Sequence, residues 1–191
     1  MVTKSKMEML YQSGRSVFSI DDLRVFWQED SSDNLKSQAA YYVERGKLIR
    51  LRRGVYALGS YNDLELANKL IVPSYVSLET ALLKHGIVFQ PVPAITSAAG
   101  YDKKIIVDAH VFRFYKMAPD ILLNPRGLQR EGEILIASPE RAIGDWLHLG
   151  RPAEFVNLSG IDEDKLREIA SIYADDAVKD QIVNLIKQIK L

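Results

Sequence analysis

The stretch that most constrains the fold lies at residues 48–58, where two β-prone runs flank an Arg53-Gly54 turn. This pattern predicts a β-hairpin. Three helical segments precede it: residues 4–12, a segment opened by Ser19, and a segment that begins at Ser31-Ser32-Asp33 and ends at Gly46. Serine is a common residue at the start of a helix, and glycine is common just beyond its end. Three helices followed by a hairpin predict a winged helix-turn-helix domain at residues 1–60.

Residues 61–191 alternate between strand and helix patterns. Strands are predicted at residues 95–98, 104–107, 111–116 and 133–137, and helices capped by Ser77 and Ser138. Two amphipathic stretches, at residues 166–173 and 178–189, form the tail. A further helix begins at Asn62 and ends before Pro73; it is either a linker or the first element of the second domain. The chain is therefore predicted to be α+β, with a mixed α/β C-terminal domain and a helical tail.

Composition narrows the class of protein. The hydrophobic fraction of 47% excludes a disordered chain, and the absence of cysteine excludes disulfides and thiolate metal sites. We find neither the apolar core of a signal peptide nor an apolar run of the roughly 18 residues that span a bilayer, so a soluble, cytoplasmic protein without a membrane partner is expected. Residues 1–60 contain 10 Lys+Arg and 7 Asp+Glu (net +3), whereas residues 61–191 contain 15 and 18 (net −3). This asymmetry favours an anionic partner for the first domain.

The third helix, at residues 33–45, has the face of a recognition helix. Its apolar residues are predicted to be buried: Leu35, Ala39, Tyr42 and Val43. The opposite face is small and polar towards its start, which lets a helix approach the base edges of a major groove. Ala40 on this face is placed to contact a thymine methyl group, whereas Glu44 is acidic. The predicted base contacts are Asn34, Ser37, Gln38 and Tyr41, and the predicted phosphate contacts on this helix are Lys36 and Arg45.

The hairpin adds Arg50, Arg52 and Arg53 to the predicted DNA contacts. Arginines on a wing bind phosphates and release counterions, so they supply affinity more than specificity. About five phosphate contacts give a slope of log K against log salt near −4 or −5. The alternative is that the helix is an ordinary surface helix and that the arginines guard a strand edge against aggregation.

Other constellations carry less weight. The pattern Gly59-Ser60 followed by Asp63 and Glu65 is better explained by a capped helix with an acidic first turn than by a nucleotidyltransferase site. No histidine has a partner at metal-ligand spacing, so no metal, cofactor or enzymatic activity is expected. A buried ion pair is a better explanation than catalysis for the charged residues Glu79, Glu140, Arg141 and Asp145.

Three stretches resemble the AbiEi family, the antitoxins of AbiE-type abortive-infection systems, which are type IV toxin–antitoxin systems. They are YVERGKLIRLRRGVYAL at residues 42–58, SYVSLETAL at residues 74–82 with the following His85-Gly86, and ASPERA at residues 137–142. Their order along the chain agrees with that of the family. The tail beyond about Gly160 is not covered by the resemblance.

The resemblance implies a two-part protein. The N-terminal domain would bind operator DNA and repress its own operon, and the C-terminal domain would counteract a toxin that resembles a nucleotidyltransferase, without necessarily forming a stable complex with it. Two alternatives remain open. One is a winged-helix regulator without a toxin, whose C-terminal domain senses a ligand or dimerises. The other is a protein-interaction module that has lost DNA binding.

Overall fold

The computed structural model describes residues 5–189, which form two compact units, one ending at Leu70 and the other beginning at Ile71. The predicted α+β class is confirmed. The predicted helix start at Lys4 and the outer ends of the two predicted domains, residues 1–4 and 190–191, lie outside the described residues. Among residues 5–189, no helix is long and apolar enough to cross a membrane.

The first unit has the element order of a winged helix-turn-helix. The elements are α1 (Lys6–Gln12), β1 (Val17–Ser19), α2 (Ile20–Trp27), α3 (Ser32–Glu44), β2 (Ile49–Arg52), β3 (Val55–Ala57) and α4 (Asp63–Leu70). A three-stranded antiparallel sheet, in the order β1-β3-β2, joins the β2–β3 hairpin to β1, the strand between the first two helices. Strand β1 is not among the predicted strands, because three residues show too little alternation to stand out.

Local capping fixes where these helices begin. Ser19 and Asp22 form a reciprocal capping box at the start of α2, and the Ser31 side chain accepts a hydrogen bond from the backbone N–H of Asn34 in α3. The apolar face of α3 packs on the core as predicted, with Leu35 and Ala39 fully buried. The core cluster of this unit comprises Leu10, Phe18, Leu23, Trp27, Leu35, Ala39, Leu48, Tyr56 and Leu58.

Helix α4 belongs to the first unit, so it is neither a linker nor the start of the second domain. The buried carboxylate of Glu65 accepts hydrogen bonds from the backbone N–H groups of Ser16 (2.8 Å) and Val17 (3.0 Å). Lys69 Nζ lies 2.8 Å from Asp22 Oδ2 on α2. The first unit therefore extends to Leu70, beyond the predicted boundary at residue 60.

The second unit is built on a six-stranded mixed sheet in the order β6-β7-β5-β4-β9-β8, with parallel pairs β5/β7 and β4/β9. Helix α5 packs on β5 and α7, and α7 also contacts the two tail helices. The short elements β4, α6 and β8 are not among the predicted strands and helices. The elements are β4 (Ser74–Val76), α5 (Leu78–Lys84), β5 (Ile95–Ala99), β6 (Lys103–Val107), β7 (His110–Lys116), α6 (Pro119–Leu122), β8 (Leu128–Glu131), β9 (Ile134–Ala137), α7 (Pro139–His148), α8 (Glu163–Ala170) and α9 (Asp176–Ile189).

Ser77 stands at the N-cap position of α5 as predicted, but its side chain does not cap the helix. It instead donates to Asp145 Oδ2 at 2.7 Å. The next residue, Leu78, has a φ of +57°, a left-handed conformation that is unfavourable for leucine. Ser138, in contrast, caps α7 as predicted by accepting from the backbone N–H of Arg141.

Candidate nucleic-acid interface

The exposed face of α3 contains most of the predicted base contacts. Asn34, Ser37, Ala40 and Tyr41 are all exposed, as is Glu44 near the end of the helix. Short side chains at the first three of these positions keep the face flat where a recognition helix enters a major groove. The Tyr41 side chain is 50% exposed, and its ring stands edge-on to that of Tyr42 at a centroid distance of 5.4 Å.

Gln38 has a different place from the predicted one. Its amide nitrogen donates to Glu29 Oε2 at 2.8 Å, and its amide oxygen accepts from Lys6 Nζ. Each polar atom of the side chain therefore makes one contact, to the turn before α3 or to α1. These contacts make Gln38 part of the packing of the helix-turn-helix and restrict how its second N–H and the second lone pair of its oxygen can meet a base.

The two predicted phosphate contacts on α3 lie at opposite ends of the helix. Lys36 Nζ lies 3.9 Å from Asp33 Oδ1, but both side chains are well exposed and such a pair contributes little. The Arg45 guanidinium stacks on the Tyr41 ring, 5.2 Å from its centroid. This stacking limits the orientations of Arg45 while its donors stay open to solvent.

The wing places its three arginines around a tight turn. In the β2/β3 ladder Arg50 lies opposite Tyr56 and Arg52 opposite Val55, with a bulge between the two arginines, and Arg53 precedes Gly54 at the turn. Gly54 has a φ of +78°, which favours glycine at this position. All three arginines are exposed, and none has an ion pair within the part of the chain that the structure describes.

A shallow groove of about 470 Å³ lies between α3 and the β2–β3 wing. Its lining is shared between α3 and the hairpin: Lys36, Ala40, Val43, Glu44, Arg50 and Tyr56. Lys36 and Arg50 thus flank one concave surface, although 14 positions separate them in the sequence (50 − 36). Lys47, an exposed cation in the turn between α3 and β2, is not among the predicted DNA contacts. Its position in the sequence, between two elements that are both predicted to contact DNA, is the feature that could have indicated it.

Other cations of the first unit serve the fold instead. Arg15 Nη1 lies 3.2 Å from Asp22 Oδ1, and Lys69 binds the other oxygen of the same carboxylate. Burial raises the pKa of Asp22, but hydrogen bonds, led by that from Lys69, lower it to below its ordinary value. Lys6 contacts Gln38 and Glu29. Three half-buried basic residues of the unit are therefore used internally, whereas those on α3 and the wing are open to solvent, as is Arg24 on α2.

The motif residues of the second unit form a buried polar cluster around Arg141, as predicted for an ion pair. Arg141 Nε donates to Asp145 Oδ1 at 3.0 Å, and both side chains are fully buried. Asp145 also accepts from the hydroxyl groups of Tyr173 (2.8 Å) and Ser77 (2.7 Å). The other guanidinium donors bind Tyr75 Oη (2.7 Å) and the carbonyl oxygens of Ile121 (2.6 Å), Asn124 (3.2 Å) and Arg126 (2.8 Å).

Arg141 thus uses all five of its N–H groups within the fold. Burial opposes its charge, but Asp145 outweighs that effect and raises the pKa of Arg141. Burial also raises the pKa of the Tyr75 and Tyr173 hydroxyls, and the charge of Asp145 adds to it. A guanidinium without a free donor organises the core and has none to offer a ligand.

The two remaining charged motif residues, Glu140 and Glu79, contact groups other than Arg141. Glu140 accepts from Ser138 Oγ (2.8 Å) and from the backbone N–H of Asp162 (3.2 Å), while Glu79 pairs with Arg151. The ring of His85 lies 2.9 Å from the carbonyl oxygen of Ala137. Over residues 5–189, no group of three His, Asp or Glu side chains is arranged to hold a metal ion.

Neither a scan against models of protein families nor a search of curated proteins finds a match to this chain. The AbiEi resemblance therefore continues to depend on the three sequence stretches alone.

Proposed function

We propose that the first unit binds double-stranded DNA, with α3 in the major groove and the β2–β3 wing along the phosphate backbone, and that the protein regulates transcription. One observation carries the proposal. The exposed cations Lys36, Arg45, Arg50, Arg52 and Arg53 lie on α3 and the wing, whereas half-buried cations elsewhere in the unit are held by internal contacts. An accumulation of exposed positive charge beside a small polar helix face fits a polyanion with readable edges.

The salt dependence of binding tests the wing. With five phosphate contacts, log K should fall with log salt at a slope of about −4.5, and changing Arg50, Arg52 and Arg53 to alanine should reduce the steepness by about 2.7. Binding is measured by fluorescence anisotropy on a duplex taken from upstream of the gene. The charge-matched control changes Lys165, Arg167 and Lys187, exposed on α8 and α9, to alanine. Equal slopes for the wild type and the wing variant would refute the proposal.

Base reading is tested on α3 with a matched pair of amides. Asn34→Ala should reduce the affinity ratio between the specific duplex and a scrambled duplex by roughly 5- to 150-fold, because a good base contact discriminates by about 1–3 kcal/mol. Gln38→Ala should leave that ratio unchanged, since its amide is bonded to Glu29 and Lys6. The reverse result would mean that the helix meets DNA with a different face.

The wider role follows from the sequence resemblance. We propose that the protein represses its own operon and acts as the antitoxin of a type IV system, with a nucleotidyltransferase-like toxin as its functional partner. A promoter reporter tests the repression, and co-expression with a nucleotidyltransferase-like gene from the same operon tests the antitoxin activity. Repression without protection would support a regulator that lacks a toxin. Loss of a protein complex in the wing variant, with DNA behaviour unchanged, would favour an interaction module.

A further inference from the structure

Two loops of the second unit enclose a cavity of about 540 Å³. One loop follows α5 and the other follows α7. They are joined where the backbone N–H groups of Val156 and Asn157 both donate to the carbonyl oxygen of Ile87, at 3.0 and 3.2 Å. The volume is within the range of small-molecule sites in proteins.

The cavity wall is aromatic and conformationally restricted. Phe89, Trp146 and Phe155 contribute rings, and Pro91 and Pro93 restrict the first loop. The indole N–H of Trp146 donates to the carbonyl oxygen of Pro152 at 2.7 Å, which fixes the orientation of the ring. The Phe89 side chain is nevertheless 62% exposed. A large apolar side chain open to solvent beside a preformed cavity is typical of a binding surface.

The charge of the cavity is negative. Its ionisable lining residues are two carboxylates, Glu79 and Glu154. Arg151 is not part of the lining: it pairs with Glu79 Oε1 and stacks on the ring of Trp146, 4.6 Å from its centroid. Burial works to lower the pKa of Arg151, but the hydrogen bond and charge of Glu79 raise it above its ordinary value. Arg151 therefore compensates one carboxylate and leaves the other.

Glu79, which lines the cavity, has one carboxylate oxygen without a donor. This atom, Oε2, is buried and accepts no hydrogen bond from any described residue. A buried carboxylate oxygen without a donor is unfavourable, and a rotation of the carboxylate that brings Oε2 to an N–H donor in the cavity relieves that cost. Aromatic faces beside a carboxylate also attract a cation directly.

We propose that this cavity binds a small organic cation, with its ammonium group at the carboxylates of Glu154 and Glu79 and its apolar body against Trp146, Phe89 and Phe155. Two carboxylates disfavour an anion, and the aromatic wall disfavours a fully hydrated metal ion. The site lies within the second unit, so it is independent of the proposed DNA binding.

Three isosteric probes test the charge selectivity: 3-phenylpropylammonium, 3-phenylpropanol and 3-phenylpropionate. They are titrated into the full-length, DNA-free protein while the two indole N–H resonances are followed by NMR. Trp146 should shift, and Trp27, which is buried in the core of the first unit, should not. We expect the ammonium compound to bind at least tenfold more tightly than the alcohol, and the carboxylate to bind more weakly than both.

Two variants connect that preference to the carboxylates. Glu154→Gln removes the exposed carboxylate that Arg151 leaves uncompensated, and it should reduce the ammonium-to-alcohol preference to about threefold or less. Glu79→Gln keeps the shape and should also reduce the preference, by a smaller factor. The Glu154 variant keeps the test valid where loss of the Arg151 pair prevents Glu79→Gln from folding. Asp180→Asn, exposed on α9 and outside the lining, is the matched control and should change nothing. Equal affinities for the three probes, no shift of Trp146 up to the solubility limit, or an unchanged preference in either folded variant would overturn the proposal.

Discussion

The cluster around Arg141 permits a quantitative test of what holds the second unit together. Asp145→Asn removes the carboxylate that faces Arg141 Nε while the guanidinium stays fully buried. Breaking a buried ion pair from one side typically costs about 3–5 kcal/mol, because the remaining charge has lost its compensation. A domain is usually stable by about 5–15 kcal/mol, so this substitution should remove a large part of the stability of the second unit.

The converse change, Arg141→Met, should be more severe. It removes the guanidinium, which leaves the fully buried carboxylate of Asp145 without its counter-charge. It also leaves Tyr75 Oη and the carbonyl oxygens of Asn124 and Arg126 without this donor, while the carbonyl oxygen of Ile121 still accepts from the backbone N–H of Asn124. The uncompensated charge costs about 3–5 kcal/mol, and each buried unsatisfied acceptor adds about 1–3 kcal/mol. A second unit that fails to fold is the expected result, even though methionine fills much of the same volume.

The two tryptophans allow each unit to be followed separately. Trp27 lies in the core of the first unit and Trp146 in α7 of the second. In protein labelled with 5-fluorotryptophan, urea unfolding followed by ¹⁹F NMR should show Asp145→Asn lowering the midpoint of the Trp146 signal and leaving that of Trp27 unchanged. Asp180→Asn should move neither. A loss below about 1 kcal/mol, or equal loss at both signals, would refute the charge-compensation argument.

Two further outcomes follow from local contacts. Gly144→Ala should destabilise the second unit by about 1–3 kcal/mol, because the added Cβ would lie 2.6 Å from the Tyr173 ring. The control is Gly160→Ala, which has open space around it and should change stability by less than about 0.5 kcal/mol in the same urea assay. The pKa of Asp22 lies below its ordinary value of 3.8, because hydrogen bonds led by that from Lys69 outweigh burial. The stability that ionised Asp22 adds to the first unit is therefore present above pH 3.8 and is lost as the pH falls through the lower pKa of the folded state. In Asp22→Asn, the urea midpoint of the Trp27 signal should therefore fall less steeply with decreasing pH than in the wild type. An unchanged dependence on pH would contradict this.

The helices were predictable wherever local chemistry determines them. Ser19 and Asp22 lie three residues apart and satisfy each other's backbone groups, so the start of α2 can be read from the sequence. The short strands were not, because three residues gain their stability from neighbours in the sheet. Likewise, α4 is held by Glu65 through hydrogen bonds to Ser16 and Val17, nearly fifty positions away. No local pattern connects those residues.

In the candidate site, too, local features were predictable and distant contacts were not. The wing arginines could be predicted from three arginines around an Arg-Gly turn, but only the structure shows that Arg50 lines the same groove as Lys36. Gln38 lies on the flank of the helical wheel, where angle alone does not decide what it meets. The packing of α1 brings Lys6 to that flank, and Glu29 occupies the other end of the amide.

On the proposed DNA-binding surface, we expect Glu44 to lower the affinity for DNA in general and to raise the selectivity between sequences. It lies in the groove beside Lys36 and Arg50, where a carboxylate repels phosphate and offsets part of the attraction that those cations provide. Among base edges, the amino group of cytosine is the donor that a glutamate accepts in the major groove. A surface selected only for affinity gains nothing from an acid at this position. In the proposed complex, the wing therefore supplies attraction for any duplex, while Glu44 makes a duplex without a matching donor less favourable.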